Sequence, residues 1–494
     1  MTLRLPKDAG ERTLLVLLLL ATFLLVLEPG RVPLFEPDEG RYGEFPREML
    51  ATGDWITPRL NGVLYFEKPP LYYWSVAASM AVLGPTELAV RLPGKLSAAG
   101  MVLLAAAFAR RRYGARTGLL AGLVCASSLL VVALARIAII DPMLSLAMSG
   151  AAFAFAAFAE GDEAGDALRA RRALYGFHVA CAAAVLLKGL IGVVLPGGAI
   201  VFWTIWTGRW RTLARVFSPG PLLVFLALAV PWHVAMARQH PDFLQFYFVH
   251  EHFDRFAKTE HKRTGPLVYF VPVLLAGFLP WTAFLGRWKE TLPGLSRAAG
   301  MARATEGFLW MFSGLVFAFF SVSRSKLIPY VLPIWPALAV LLALGIERAR
   351  ARGASFRGER IATGVLFGAL LCAGAAYGFG ALADFRYYIE TIEPLTIYPT
   401  ISVGFLAGPD KVSQVNAVMP LFNPGLGVKM KFGNVYGAFE FGLSGFTIPF
   451  VVFILGFDGD SKITKEAERV RIAEETAPIP VAPVAAPVAP RATP

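Results

Sequence analysis

Charged residues are scarce in this chain: Asp, Glu, Lys and Arg make up 17% of its 494 residues, whereas 56% are hydrophobic. The mean hydropathy is +0.56. Soluble domains carry about 25% charged residues, so the shortage of charge excludes an ordinary soluble enzyme and a disordered chain. Several apolar runs are long enough to cross a bilayer as helices. The composition therefore predicts an all-α polytopic membrane protein.

Cysteines are few, and nucleotide-binding motifs do not occur. Cys125, Cys181 and Cys372 each lie in an apolar run and form no C-x-x-C pair, so we interpret them as core or lipid-facing thiols. Neither G-x-x-x-x-G-K-[ST] nor a strand-borne G-x-G-x-x-G occurs. We therefore expect no nucleotide cofactor.

Lys and Arg outnumber Asp and Glu by 47 to 35, which gives a formal net charge of +12. The basic residues stand in short clusters between apolar runs, as expected for cytoplasmic loops under the positive-inside rule. This pattern disfavours a nucleic-acid partner. The clusters occupy residues 110–112, 169–172, 209–215, 287–303 and 348–360.

Eleven apolar runs predict membrane-spanning helices. The first follows basic residues, as in a signal peptide, but a small-residue cleavage site is missing, so we expect an uncleaved helix. The predicted number of membrane-spanning helices is about 11–13, because segments after residue 383 could add to these eleven. The predicted spans lie near residues 12–28, 90–109, 116–135, 142–159, 173–187, 189–207, 220–237, 266–286, 306–322, 327–347 and 361–383.

The apolar run at 71–84 is predicted not to span. About 14 residues of helix reach only roughly 21 Å, less than the hydrocarbon thickness. If it did span, the basic cluster at 110–112 would lie outside. We therefore predict a re-entrant or interfacial helix, which places segment 35–74, the histidine-rich loop 238–265 and the turn 323–326 on the external side.

The last quarter of the chain has a different composition. We predict a transmembrane domain over residues 1–383, with an external catalytic loop at 29–89. Residues 384–460 mix Gly, Pro and aromatic residues, and two interpretations remain open: a small external domain with strands, or a further membrane segment at 441–457. Residues 461–494 are predicted to form a charged helix and a disordered Pro/Ala-rich tail.

Segment 35–74 is too polar to lie in the membrane. Its acidic pair is predicted in a loop, where a solvated turn and a catalytic carboxylate are both open interpretations. Carboxylates beside cations suit a transfer reaction that activates an acceptor and releases an anionic leaving group. The ionisable residues of interest are Asp38, Glu39, Arg41, Arg47, Glu67 and Lys68.

Two ionisable residues interrupt later apolar runs. Asp141 lies at the junction of two predicted spans, where function is the default hypothesis and pairing with Arg136 is the alternative. Lys188 stands at an external boundary, and both snorkelling and a phosphate contact remain open.

Five of the six histidines fall between residues 233 and 261. His250 or His252 together with Glu67 would suit zinc or manganese, although metal binding is only one interpretation of a His-x-His pair. Arg255 is the preferred phosphate ligand of this loop, and Lys326 with Tyr330 begins another helix on the same face.

These residues lie in motifs that resemble a known family. The run DEGRYGEFPREMLATGDWITPRLNGVLYFEKPPLYYW is followed in order by IIDPMLS, LLKGLIG, EHFDRF and SRSKLIPYVLP. Together they resemble the aminoarabinose transferases that modify lipid A, which are related to the protein O-mannosyltransferases and belong to the GT-C class of integral-membrane glycosyltransferases. The resemblance covers residues 12 to about 350.

The resemblance implies specific roles. Asp38 would be the principal catalytic carboxylate and Asp141 a second acid in the site. Glu67 would share a divalent metal, Zn or Mg/Mn, with His250 or His252. The residues expected to bind the donor or phosphates, or to line the pocket, are Arg41, Tyr65, Lys68, Lys188, Arg255 and Tyr330.

The implied function is sugar transfer from a polyprenyl-phosphate carrier such as undecaprenyl phosphate. The sugar would resemble 4-amino-4-deoxy-L-arabinose, and the acceptor would be lipid A, lipopolysaccharide or another envelope component. Transfer would occur with inversion at the external face of the bacterial inner membrane. A protein O-mannosyltransferase-like enzyme is the alternative. A transporter is disfavoured, because the polar residues gather at one face rather than at the midplane of two matched halves.

Overall fold

The computed structural model describes residues 9–27, 33–35, 37–247, 265–293, 300–366 and 368, together with the backbone of five strands between 389 and 457. The α-helices are α1 (Ala9–Val26), α2 (Asp38–Thr52), α3 (Leu71–Leu83), α4 (Glu87–Tyr113), α5 (Ala115–Ser127), α6 (Leu129–Leu134), α7 (Asp141–Glu163), α8 (Ala167–Lys188), α9 (Ile191–Thr207), α10 (Trp210–Val216), α11 (Pro219–Gln239), α12 (Phe270–Gly277), α13 (Met301–Val322), α14 (Trp335–Ala351) and α15 (357–366). The 3-10 helices are Leu267–Tyr269, Trp281–Thr291 and Ile328–Ile334.

Seven helical segments of the described chain are long and apolar enough to cross a membrane. They are α1, α4, α7, α8, α11, α13 and the continuous segment Ile328–Ala351. The helices α5 and α9, at two further predicted spans, are shorter, with 13 and 17 residues. The last predicted span, 361–383, lies mostly outside the described residues.

Two predicted spans are broken rather than straight. The span predicted at 116–135 divides into α5 and α6 because Ser128 between them is extended, with φ −66° and ψ 130°. The span predicted at 266–286 bends by 110° between Gly277 and Trp281. Proline lacks an N–H for the helical ladder, and Pro280 lies in this bend. The carbonyl of Leu279 instead accepts a hydrogen bond from the amide of Leu129.

Helix α3 is the segment predicted not to span, and its 13 residues confirm that it is short. It packs against α2 and α4 and buries Tyr72 and Tyr73 completely. On α2, Phe45 and Met49 are 1% and 2% exposed. Burying each such side chain contributes about 1.5–3 kcal/mol, which fixes α2 against the helices that follow it.

Helices α7 and α8 form an antiparallel hairpin joined by residues 164–166. The chains approach closely at Gly161, where a Cβ would lie 2.8 Å from the backbone nitrogen of Ala170. A larger residue there would push the helices apart. Because the two helices have 23 and 22 residues, the first residue of α7 and the last residue of α8 meet at one end of the hairpin.

The C-terminal unit contains the strands β3 (Ile389–Ile392), β4 (Leu395–Ile401), β5 (Pro424–Phe432), β6 (Val435–Ser444) and β7 (Ile448–Phe457). They form one sheet in sequence order, and β3 to β6 pair antiparallel. A separate two-stranded hairpin, β1 (Arg59–Leu60) and β2 (Val63–Leu64), belongs to the helical unit. The domain boundaries predicted from the sequence remain predictions.

Candidate functional site

The acidic pair predicted in a loop lies instead in the first turn of helix α2. Pro37 precedes Asp38 at the N-cap position, and acidic side chains near a helix N-terminus are stabilised by its dipole. Asp38 is 55% exposed and forms an ion pair with Arg41, one turn further along. The next acid, Glu39, is completely buried. Adjacent carboxylates therefore face different environments.

Glu39 accepts hydrogen bonds from three separate parts of the chain. Arg91 on α4 donates from Nε at 2.9 Å and from Nη2 at 2.8 Å. The amides of Phe35 and Ala138 donate at 2.8 and 2.6 Å. Phe35 precedes Asp38, and Ala138 precedes Asp141. This one carboxylate thus ties together the backbone segments that present both predicted catalytic acids.

Asp141 begins α7, and its carboxylate binds Lys188 at the end of α8, with 2.6 Å between Oδ1 and Nζ. The ion-pair partner that the structure gives to Asp141 therefore lies 47 residues later in the chain. The ammonium of Lys188 also lies 4.7 Å from the ring centroid of Tyr330. A cation over an aromatic face is attracted to the π electrons. Three predicted site residues therefore form one cluster.

Tyr42 links this cluster to two acids of segment 35–74, Asp38 and Glu67. Burial raises the pKa of Tyr42, and the negative charges of Asp141, Asp38 and Glu67 raise it further. Its hydroxyl therefore keeps its proton across the neutral range and can donate a hydrogen bond. Sequence reasoning missed this residue, although Tyr42 follows Asp38 by one helical turn and four-residue spacing puts side chains on one face.

Glu67 and its neighbours complete the site. The hydroxyl of Tyr65 donates to Glu67 Oε2 at 2.9 Å, and burial together with the charge of Glu67 raises the pKa of Tyr65. Lys68 lies 3.9 Å from the same oxygen and donates to the Glu67 carbonyl at 2.9 Å. These contacts bring a carboxylate, a cation and a neutral phenol together.

Some predicted residues lie elsewhere. Arg47 is bound to Glu44, with 2.7 and 2.6 Å between the guanidinium and carboxylate atoms, so its charge is matched within α2. His250, His252 and Arg255 lie outside the described residues. The roles predicted for these three residues remain predictions.

The described part of the chain assembles no group of three or more His, Cys, Asp or Glu side chains that could hold a metal ion. Glu67 supplies one carboxylate, which Tyr65 already contacts. The two histidines predicted to share a metal with it are outside the described ranges. The divalent metal is therefore still a prediction.

The arrangement has the chemistry of a transfer site. Asp38 offers an exposed carboxylate, Arg41 and Lys68 offer cations, and the Asp141–Lys188 pair is only 12% and 14% exposed. Charges in a partly buried site act more strongly than in water. Such a site can bind an anionic group and accept a proton from a nucleophile.

The chain is similar in sequence and in fold to proteins of known families. The family described as dolichyl-phosphate-mannose-protein mannosyltransferase matches residues 13–247. The undecaprenyl phosphate-alpha-4-amino-4-deoxy-L-arabinose arabinosyl transferase of Serratia proteamaculans is 32% identical over 411 residues, 81% of this chain and 70% of that protein. Its counterpart from Edwardsiella ictaluri is 35% identical over 348 residues. The alignment covers 69% of this chain but only 60% of that relative's length.

Among solved structures, ArnT from Cupriavidus metallidurans, crystallised with bound undecaprenyl phosphate, superimposes with a TM-score of 0.63. The two chains are 30% identical, and the match covers 76% of this chain and 65% of ArnT. The same protein in the apo state gives a TM-score of 0.62. This likeness confirms the predicted fold class, an all-α polytopic membrane protein.

Proposed function

Because the chain belongs to the family of undecaprenyl phosphate-alpha-4-amino-4-deoxy-L-arabinose arabinosyl transferases, we propose that it is a polyprenyl-phosphate-dependent glycosyltransferase. The donor would carry 4-amino-4-deoxy-L-arabinose or a related sugar on undecaprenyl phosphate. The acceptor would be lipid A or another lipid or glycan of the cell envelope. The cluster of Asp38, Arg41, Asp141 and Lys188 around Tyr42 is the observation that supports this proposal most strongly.

The proposed reaction is a direct displacement at the anomeric carbon. An acceptor oxygen forms a bond to that carbon while the bond from the carbon to the phosphate oxygen breaks. The electron pair leaves with the polyprenyl phosphate, and the proton of the acceptor oxygen passes to the carboxylate of Asp38. Attack opposite to the leaving group inverts the configuration.

The cations would act on the leaving group. Arg41 and Lys68 are proposed to bind the donor phosphate, because cations placed where charge develops lower the barrier to bond breaking. Arg255 is proposed for the same phosphate on its sequence motif alone. Lys188 would hold the Asp141 carboxylate in one orientation toward the sugar. A divalent cation shared by Glu67 with His250 or His252 would add positive charge to the site, and no step above depends on it.

We further propose that the site opens to the external face of the bacterial inner membrane. The first residue of α7 and the last of α8 lie at the site, whereas the opposite ends of these helices carry Arg169, Arg171 and Arg172. Basic residues of this kind are enriched in cytoplasmic loops. This distribution supports an external orientation of the site.

A matched pair of variants in α2 tests the proposal. The purified full chain in detergent would be incubated with radiolabelled undecaprenyl-phosphate sugar and lipid A, and labelled lipid would be counted. Asp38→Asn should reduce transfer about 10²–10⁴-fold, the usual range for loss of a general base. Glu44→Gln removes the acid of a second acid–arginine pair of the same spacing and should leave transfer within about twofold.

Unchanged turnover in a folded Asp38→Asn protein would refute the role of Asp38. The family match to protein mannosyltransferases over residues 13–247 gives a second candidate, transfer of mannose. Competition between aminoarabinose and mannose donors on the wild-type protein would separate the two candidates, because only the true donor should inhibit transfer at micromolar concentration.

A further inference from the structure

Residues 65–68, which include Glu67 and Lys68 of the site, lie in an irregular stretch of the chain. They follow strand β2 and precede helix α3, and they have neither helical nor strand structure. The two side chains just before them, Val63 and Leu64, are 69% and 41% exposed. A stretch without a ladder of backbone hydrogen bonds opens easily unless other contacts hold it. The side-chain contacts of this stretch therefore decide where its charged groups lie.

Phe66, between Tyr65 and Glu67, packs into a second apolar core that is separate from the main one. Its ring centroid lies 5.2 Å from that of His240 and 5.8 Å from that of Phe243, which is completely buried. The other buried members of this second core are Leu186, Trp232, Met236 and Tyr247. Aromatic pairs at these distances stabilise one another beyond the area that they bury. The second core therefore holds Phe66 in place.

A buried threonine joins this core to the end of helix α11. Thr57 is 2% exposed, and its hydroxyl donates to Gln239 Oε1 at 2.9 Å. The same hydroxyl oxygen lies 3.0 Å from Nε2 of His240. A hydroxyl has one hydrogen to donate, so the oxygen of Thr57 accepts the hydrogen on Nε2 of His240. These hydrogen bonds fix the position of the imidazole ring.

Two tryptophans attach the residues beside Thr57 to neighbouring helices. The indole nitrogen of Trp232, on α11, donates to the carbonyl of Ile56 at 2.9 Å. The indole nitrogen of Trp74, on α3, donates to the carbonyl of Trp55 at 2.8 Å. The segment that carries Thr57 is therefore bound to α11 and to α3 together.

His240 connects these hydrogen bonds to the site. Its Nε2 contacts Thr57, and its ring contacts Phe66. Leu186, two residues before Lys188 on α8, belongs to the same core. One apolar core thus supports residues beside both parts of the site. We call the set of Thr57, Phe66, Gln239 and His240 the Thr57 clamp.

We propose that Thr57 and His240 are positioning residues for Lys68 and that they act through Phe66. The hydrogen bonds of Thr57 hold His240, the imidazole ring holds Phe66, and Phe66 holds the backbone that presents Lys68 to the donor. This inference rests on the proposed function, in which Lys68 binds the phosphate of the donor. It adds residues that contact neither substrate but set the position of a cation that does.

Steady-state kinetics on the purified full chain tests the Thr57 clamp. Thr57→Val keeps the shape of the side chain and removes the hydroxyl. It should lower kcat/KM for the donor about five- to tenfold, the loss expected for one buried hydrogen bond, and leave the acceptor KM within about twofold. Thr57→Ser restores the hydroxyl and should recover most of the loss.

Thr305→Val is the matched control at the other end of the α7–α8 hairpin. Thr305 is also 2% exposed, and its hydroxyl donates to Glu160 at 2.9 Å. The control should lower thermal stability at least as much as Thr57→Val does, while kcat/KM for the donor stays within about twofold. An equal loss of kcat/KM in both variants would overturn the proposal, because Thr57 would then have only a structural role.

A double variant separates positioning from stability. In a chain that already carries Lys68→Met, the change Thr57→Val should lower kcat/KM for the donor no further, because the threonine acts only through the lysine. Losses that multiply in the double variant would show that Thr57 acts independently of Lys68 and would overturn the proposal.

The Thr57 clamp can also be tested without sugar transfer. Amide hydrogen exchange in residues 59–71, measured by mass spectrometry, should be faster in Thr57→Val than in the wild type and unchanged in Thr305→Val. If the wild-type chain transfers no sugar, the proposed function fails, and hydrogen exchange still decides whether the clamp holds this stretch. Unchanged exchange in Thr57→Val would refute the clamp.

Discussion

The hairpin of α7 and α8 has an acid–base cluster at each end, and the two clusters differ in how completely their charges are satisfied. At one end Glu160 lies 2.5 Å from Arg112 and 2.7 Å from Arg169 and accepts a hydrogen bond from Thr305 at 2.9 Å. At the other end Asp141 is bound by Lys188. At the Glu160 end, one acid and its several donors join the four helices α4, α7, α8 and α13.

The same contrast holds for the neighbouring acids. Glu306, near the Glu160 end, is completely buried and bound by Arg348 and Arg303. Asp38, near the Asp141 end, is 55% exposed and bound by Arg41. Saturated, buried ion pairs lock helices together, whereas exposed ones remain able to contact a substrate. The difference teaches that the exposed carboxylate of Asp38 is available to a substrate, whereas the buried carboxylates of Glu39 and Glu306 hold the helices in place.

The largest loss of activity is expected from substitutions in the Asp141–Lys188 pair. Asp141→Asn and Lys188→Met should each lower kcat about 10²-fold or more, because the pair orients one carboxylate in the site. The double variant should be little worse than either single variant, since residues that act as a unit are not additive. Radiolabel transfer at saturating donor measures all three. Independent, multiplying losses would contradict a shared role.

A second test compares two fully buried acids. Removing the charge from one partner of a buried ion pair costs about 3–5 kcal/mol, so Glu39→Gln and Glu306→Gln should both lower thermal stability. Only Glu39→Gln should also lower kcat, by about tenfold for a small misplacement of the acids, because Glu39 binds the amides that precede Asp38 and Asp141.

The measurement is kcat per folded protein, well below both unfolding temperatures. Equal losses of kcat in the Glu39 and Glu306 variants would contradict this prediction, because both ends of the hairpin would then contribute equally to catalysis. Glu39→Asp should recover part of the loss, since it keeps the charge that Arg91 needs.

The smallest expected effect concerns Tyr42. Tyr42→Phe should lower kcat/KM only about three- to tenfold, as for one hydrogen bond. Because the pKa of Tyr42 is raised, the phenol is neutral throughout the neutral range, and the pH profile of the variant between about pH 6 and 9 should match that of the wild type. A wild-type profile with an alkaline limb that Tyr42→Phe abolishes would contradict this assignment.

The sign of the stability effect follows from the same shift. A tyrosine with a raised folded pKa binds its proton more tightly in the native state, so the wild type should lose stability as pH rises above about 10, the ordinary tyrosine value. Tyr42→Phe should reduce this loss of stability. The reduction should be small, because burial also raises the pKa of Tyr65, Tyr72 and Tyr73, which remain in the variant. Unfolding followed from pH 8 upward measures the difference.

Much of the helical unit could be predicted from hydropathy and charge. Long apolar runs indicate membrane-spanning helices. The short run at 71–84 is distinguished from these spans by its length and by the positive-inside rule. The breaks at Ser128 and before Trp281 could not be predicted in the same way. They depend on tertiary contacts such as the hydrogen bond from Leu129 to Leu279.

The site shows the same division. Motifs indicated Asp38, Asp141, Lys188 and Tyr330, but the pairing of Asp141 with Lys188 joins residues 47 positions apart. This pairing could be predicted from a helical hairpin, since two helices of nearly equal length with a short connection bring their far ends together. The split between exposed Asp38 and buried Glu39 had no local signal, because both lie in one helical turn and only the packing of α4 distinguishes them.

The most direct test of the central claim is transfer by the wild-type chain itself. The purified protein would be reconstituted in lipid nanodiscs with undecaprenyl phosphate-aminoarabinose and lipid A, and the products would be analysed by mass spectrometry. We expect lipid A that has gained one aminoarabinose residue and an equal amount of released undecaprenyl phosphate. Intact donor and unmodified lipid A, from a protein that is folded and binds the donor, would contradict it.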